Sequence, residues 1–163
     1  MLDEDRIRSL ATHRGHPTVT SCYLDVDGRE YPRPADYEAQ LDHLLRSARA
    51  GAQAAGPEVV RSVEGDLERI TLWVKGGFVR SHTRGLALFS CSAENWFEVV
   101  ELPRPVRNEI TLDQRPHVRQ LESALQEYER FAVVLVDRQR ARLFRFVPSC
   151  RCFEYFGDDI EIP

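Results

Sequence analysis

Residues Phe131–Phe146 read FAVVLVDRQRARLFRF. An apolar run, Phe131 to Val136, meets a polar break, Asp137 to Arg140, and a second run carrying Phe144 and Phe146 returns at once. A buried strand, a tight turn and an arginine-bearing return strand is the expected structure. This hairpin begins close to the last residue, Pro163, and Cys152 to Phe156 is expected to add a third strand. Three strands without a helix form a poor core by themselves. The segment therefore marks a second structural unit, and the rest of the chain is read outward from it.

Upstream, helical and strand patterns interleave. Asp3 to Leu10 is a short helix candidate, closed by Gly15 and Pro17. Val19 to Val26 (VTSCYLDV) has the β-branched and aromatic content of a strand. After the breaker-rich loop Asp27 to Pro34, Asp36 is expected to cap a helix with Tyr37, Leu41, Leu44, Leu45 and Ala48 on one face. Ala50 to Pro57 (AGAQAAGP) reads as a break. Glu58 to Val74 follows as a second amphipathic helix, ended by Gly76-Gly77. Arg84 to Ser90 is a buried strand, Trp96 to Leu102 an alternating one, and Asn108 to Leu112 a candidate edge strand. Pro116 starts a helix running to Arg130, with Val118, Leu121, Leu125 and Tyr128 toward the core. The expected fold is α/β: a layered N-terminal domain, residues 1–129, with a mixed sheet and flanking helices. A strand-rich segment, residues 130–163, would then open an incomplete second domain.

Composition limits the function classes. No apolar stretch approaches the roughly 20 residues that span a bilayer. The opening MLDEDRIRSL is too charged for a signal peptide. A cytoplasmic protein is expected. The net charge of −4 excludes a global basic field, but the sign varies along the chain. Arg138, Arg140, Arg142, Arg145 and Arg151 face only Asp137 in their stretch, and the tail reverses sign with Glu154, Asp158, Asp159 and Glu161. Arg104, Arg107, Arg115 and Arg119 form another basic cluster. Lys75 is the only lysine, so arginine dominance reads first as a GC-rich genome.

Catalytic and metal motifs are few. Cys22 and Cys91 lie in strand patterns and read as buried thiols, not a disulfide framework. Cys150-Arg151-Cys152 lacks the spacing and the further ligands of a zinc site. Asp25, Asp27 and Gly28 begin like a calcium loop, which Arg29 interrupts at the third oxygen position. Neither a P-loop, a nucleophile elbow nor HExxH occurs. No catalytic residue, metal or cofactor is expected, and the chain is read as a non-enzyme.

The order of elements and several segments resemble the archaeo-eukaryotic class 1 release factor family. That family includes Pelota-like rescue factors and bacterial relatives. TSCYLDV (Thr20 to Val26) precedes two long helices, and RGLALFSCS (Arg84 to Ser92) is similar to the family's strand of the form NGLVLYCG. Phe131–Phe146 looks like the first hairpin of the family's middle domain, with Asp137, Ala141, Leu143 and Phe144 at its pattern positions. Within the family, the actinobacterial branch similar to Balon-type ribosome hibernation factors resembles the chain most.

What this resemblance implies is a factor entering the ribosomal A site in hibernation, rescue or a termination-like state, with ribosomal RNA as partner. A translational GTPase is a further partner that it leaves open. Arg49 and Arg61, flanking the tip between the two long helices, and Arg138, Arg140, Arg142 and Arg145 of the hairpin are the candidate RNA contacts. The family's Asn-Ile-Lys-Ser codon-reading motif does not occur in Ser47 to Val60, and no Gly-Gly-Gln occurs in the sequence. Gly76-Gly77-Phe78 is a decoy in the wrong domain. The rival reading is an interaction module that dimerises, or pairs with another protein, through the Cys152 to Phe156 strand edge.

Overall fold

The computed structural model describes residues 4–126, 131–136, 140–147, 152–155 and 160–161, with side chains described for 4–125. The chain divides into two compact units, Met1–Ser123 and Ala124–Pro163.

The first unit opens with α1 (Glu4–Thr12) and β1 (Val19–Asp25), continues through α2 (Pro34–Gln53) and α3 (Pro57–Gly76), and returns as β2 (Gly85–Cys91). A single 3-10 turn, Ser92–Glu94, leads to β3 (Trp96–Leu102), β4 (Glu109–Asp113) and α4 (Arg119–Gln126), of which the unit includes the residues up to Ser123. The strands form one sheet in the order β3-β2-β1-β4. The fold class is the layered α/β expected, but every pairing in this sheet is antiparallel, not mixed. A single crossover helix would have made β1 and β2 parallel. Two helices return the chain to the end of the sheet it left, so β2 must run back.

One face of β1 and β2 packs on the helices. Cys22, Leu24, Leu86 and Leu88 meet Leu41, Leu44 and Leu45 of α2 and Val63, Leu67, Ile70 and Val74 of α3 in one buried cluster. Each large apolar side chain contributes roughly 1.5–3 kcal/mol by leaving water. Tyr23 and Phe89 meet edge to face with centroids 6.0 Å apart. The Tyr23 hydroxyl donates to His117 O at 2.5 Å, and Ser21 Oγ accepts from His117 N, tying this stretch to the sheet. Trp96 and Phe97 pack: Trp96 stacks on His13 with centroids 3.9 Å apart, and Phe97 lies against the core. On β3, Arg6 of α1 donates to Val99 O at 2.9 Å and to Glu98 at 3.3 Å.

Several boundaries differ from expectation. The break Ala50 to Pro57 is helical as far as Gln53, since alanine favours helix and a lone Gly51 does not stop it. Asp36 is not the N-cap. Arg33 is, and Asp36 sits one turn in, reaching back to accept from Arg33 N at 3.0 Å. The helix expected over Pro116 to Arg130 begins at Arg119, and residues 127–130 lie outside the described residues.

The second unit contains β5 (Phe131–Val136), β6 (Arg140–Val147), β7 (Cys152–Tyr155) and β8 (Ile160–Glu161). They form one sheet, β5-β6-β7, with β8 also on β6 and every pairing antiparallel. The strand-rich C-terminal segment is as expected. The short β8 has too little sequence to be read.

Candidate functional site

The α2–α3 hairpin ends in an exposed tip, and its attachment to the sheet was not legible in the sequence. Asp66 sits on the inward stripe of α3 and is 0 % exposed. Its carboxylate accepts from Thr20 Oγ1 at 2.6 Å (β1), Ser90 Oγ at 2.8 Å (β2) and Ser92 N at 2.6 Å. One turn earlier, Ser62 O accepts from Ser92 Oγ at 2.6 Å. One turn later, Arg69 donates to Asn95 Oδ1. A Cβ on Gly65 would stand 2.8 Å from Ser92 Oγ and 2.9 Å from Ser92 Cβ. Glycine therefore permits an approach that any side chain would block. Burial pushes the Asp66 carboxyl above its ordinary value, against the hydrogen bonds that pull it down.

At the root of the hairpin, Arg80 gathers the loop between β1 and α2. It donates to Tyr31 O at 2.6 Å. It also donates to Val26 O at 3.3 Å and to Pro32 O at 3.3 Å. Its guanidinium lies 5.1 Å above the Tyr37 ring, within cation–π range. Phe78 stacks on Trp73 beneath it. Gly77, in the decoy Gly-Gly-Phe, terminates α3 at φ 90°.

The tip is different. Ala54, Ala55, Pro57 and Glu58 are exposed, and Gly56 turns the chain at φ 109°. Arg49 and Arg61 flank it, both exposed. Arg49 Nε donates to Glu64 Oε1 at 3.0 Å across the two helices, a half-exposed ion pair.

Of the hairpin arginines expected from the sequence, Arg138 lies outside the described residues, and the other three are in β6. In register, Arg140 stands opposite Glu161 of β8 and Arg145 opposite Glu154 of β7. Arg142 is paired with Leu135. The acidic tail thus returns to two of the three positions, a pairing that the sign reversal in the sequence hinted at. Cys22 and Cys91 are buried free thiols, as read. Burial pushes the Cys22 thiol up to about 12.

Residues 116–149 match the model of Bacterial archaeo-eukaryotic release factor family 10. That span contains the Phe131–Phe146 hairpin. The archaeal translation termination factor aRF1 is similar in structure, with a TM-score of 0.52 at 18% identity, covering 96% of this chain and 43% of that one. The likeness to release factors thus lies in the sequence of residues 116–149 and in the fold. A second solved structure, described as an archaeal protein, gives a TM-score of 0.51 at 18% identity, covering 96% of this chain and 44% of that one. At this identity the likeness concerns the fold, and the chain spans less than half the length of either structure. No curated protein matches it.

Proposed function

We infer that this release factor-like chain is a cytoplasmic ribosome-binding factor of the A-site region, acting in hibernation, rescue or a termination-like state. The match of residues 116–149 to a release factor family carries the reading, and the aRF1-like fold supports it. Nothing in this stretch supplies codon reading or hydrolysis, so binding is its proposed role. The α2–α3 tip is narrow and carries small side chains, suited to entering an RNA groove. Arg49, Arg61 and the β6 arginines would meet phosphate oxygens through forked donors. A local basic strip can do this on an acidic chain, because screening confines the interaction to about 8–10 Å.

Co-sedimentation of the full chain with ribosomes across a salt series tests this. Binding should weaken steadily with salt, and Arg142→Glu should reduce it about tenfold, with a salt slope shallower by about one. Arg140→Glu and Arg145→Glu should do less, since Glu161 and Glu154 already oppose those positions. Absence of any ribosome-bound fraction at about 50 mM salt would sink the reading.

A further inference from the structure

Strand β4 has an open edge whose backbone can be assigned by parity. Val26 N donates to Arg84 O on the β2 side, and Asp25 N turns the other way, to Asn108 Oδ1. Odd-numbered residues of β1 therefore face β4, and antiparallel partners exchange their hydrogen bonds directly. Glu109, Thr111 and Asp113, opposite Tyr23, Ser21 and Val19, are bonded inward. Ile110 and Leu112 turn their N–H and C=O groups outward. Among the described residues no further strand pairs with them on that side.

Beside that edge runs a groove of about 520 Å³, floored by Ala48, Gly51, Ala55, Val59, Ile110 and Leu112. The small residues of α2 leave this space: a Cβ on Gly51 would sit 3.7 Å from Leu112 Cδ1, in ordinary contact. An unpaired strand edge next to an apolar groove has the two parts needed for strand addition, main-chain partners and alternate side-chain sites.

Charge selects the occupant. A second copy paired antiparallel over the whole strand would set Glu109 opposite the copy's Asp113, and any extension would set Arg107 opposite Arg115. Like charges directly opposite oppose that pairing. Glu109 accepts from the neutral Gln120 Nε2 at 3.0 Å, and the outward N–H and C=O groups of Ile110 and Leu112 match a peptide backbone, whereas a sugar–phosphate backbone has no such alternation of donors and acceptors. We propose that this edge binds an extended segment of another protein as a fifth strand. The segment carries basic residues opposite Glu109 and Asp113 and small or β-branched apolar residues opposite Ile110 and Leu112.

The probe is the peptide acetyl-Lys-Val-Thr-Val-Lys-amide, fluorescently labelled, titrated with the full chain at low salt and followed by anisotropy and amide NMR shifts. Saturable binding with the largest shifts at Ile110 and Leu112 is expected. The peptide with glutamate in place of both lysines should bind about tenfold more weakly. Methylating both valine nitrogens should abolish binding. Gly51→Leu should fill the groove and remove it with the thermal melt retained, and Glu109→Lys with Asp113→Lys should invert the charge preference. Should Gly51→Leu fail to fold, the methylated peptide carries the test. No saturable shift, equal binding of the two peptides, or a dimer in sedimentation equilibrium whose contacts are Ile110 and Leu112 overturns the proposal.

Discussion

Midway along α3, Asp66 gathers three donors from β1, β2 and the turn after β2, all within 2.8 Å, the two hydroxyls fully buried and Ser92 N partly so. Toward the tip, the same hairpin exposes Ala54 and Ala55, and the half-exposed ion pair Arg49–Glu64 bridges its helices. The first region fixes where the hairpin points. The second leaves its end bare for whatever it meets. A polar anchor in an apolar layer gives orientation, because hydrogen bonds are directional whereas hydrophobic packing tolerates slippage.

The largest effect should come from Asp66→Ala. It strands two buried hydroxyls and the partly buried Ser92 N–H and should cost about 3 kcal/mol, read as a lower urea midpoint at unchanged m-value. Ala54→Ser at the tip should stay within about 0.5 kcal/mol. Equal effects at the two sites would erase the distinction.

Gly65→Ala should come next, at about 1–3 kcal/mol, because its new Cβ collides with Ser92. Combining it with Ser92→Gly should recover part of that loss, and strict additivity in the double-mutant cycle would mean that the close approach is not the cause.

A subtler test uses pH. Since burial raises the folded Asp66 carboxyl above its ordinary value of 3.8, the folded state holds that proton more tightly than the unfolded chain. Its favourable contribution is complete below the ordinary value and is lost as pH rises through the folded one. Asp66→Asn keeps an acceptor for Ser92 N and has no charge to bury. Its stability relative to the parent should therefore improve as pH rises from below 3.8 through the raised value of the folded carboxyl. A difference that shrinks over that range would mean that the hydrogen bonds outweigh burial.

How much of this was readable follows the physics of each element. Trp96 to Leu102 matches β3 residue for residue, because alternation in an antiparallel sheet is a strong local signal and Pro103 stops it. The Phe131–Phe146 strands were equally plain. Asp66 was not. A carboxylate in an amphipathic helix ordinarily marks the wet face, and only the fold brings Thr20, Ser90 and Ser92 to it. A clue existed in the spacing: Asp66 falls one turn after Val63 and one turn before Ile70, within the apolar stripe. The β4 groove was equally hidden, since it joins Gly51 and Leu112, which lie far apart in sequence. The antiparallel sense of the sheet depended on counting two crossover helices rather than one.

Arg6 has a consequence for assembly. Its guanidinium takes Val99 O, one of the outward-facing carbonyls at the β3 border of the four-stranded sheet. Stacking of successive copies head to tail would need both borders, as any open-ended fibre does. A strand approaching the β3 border would have to displace that guanidinium, so Arg6 blunts the border opposite β4 against the edge-to-edge pairing that open sheets invite.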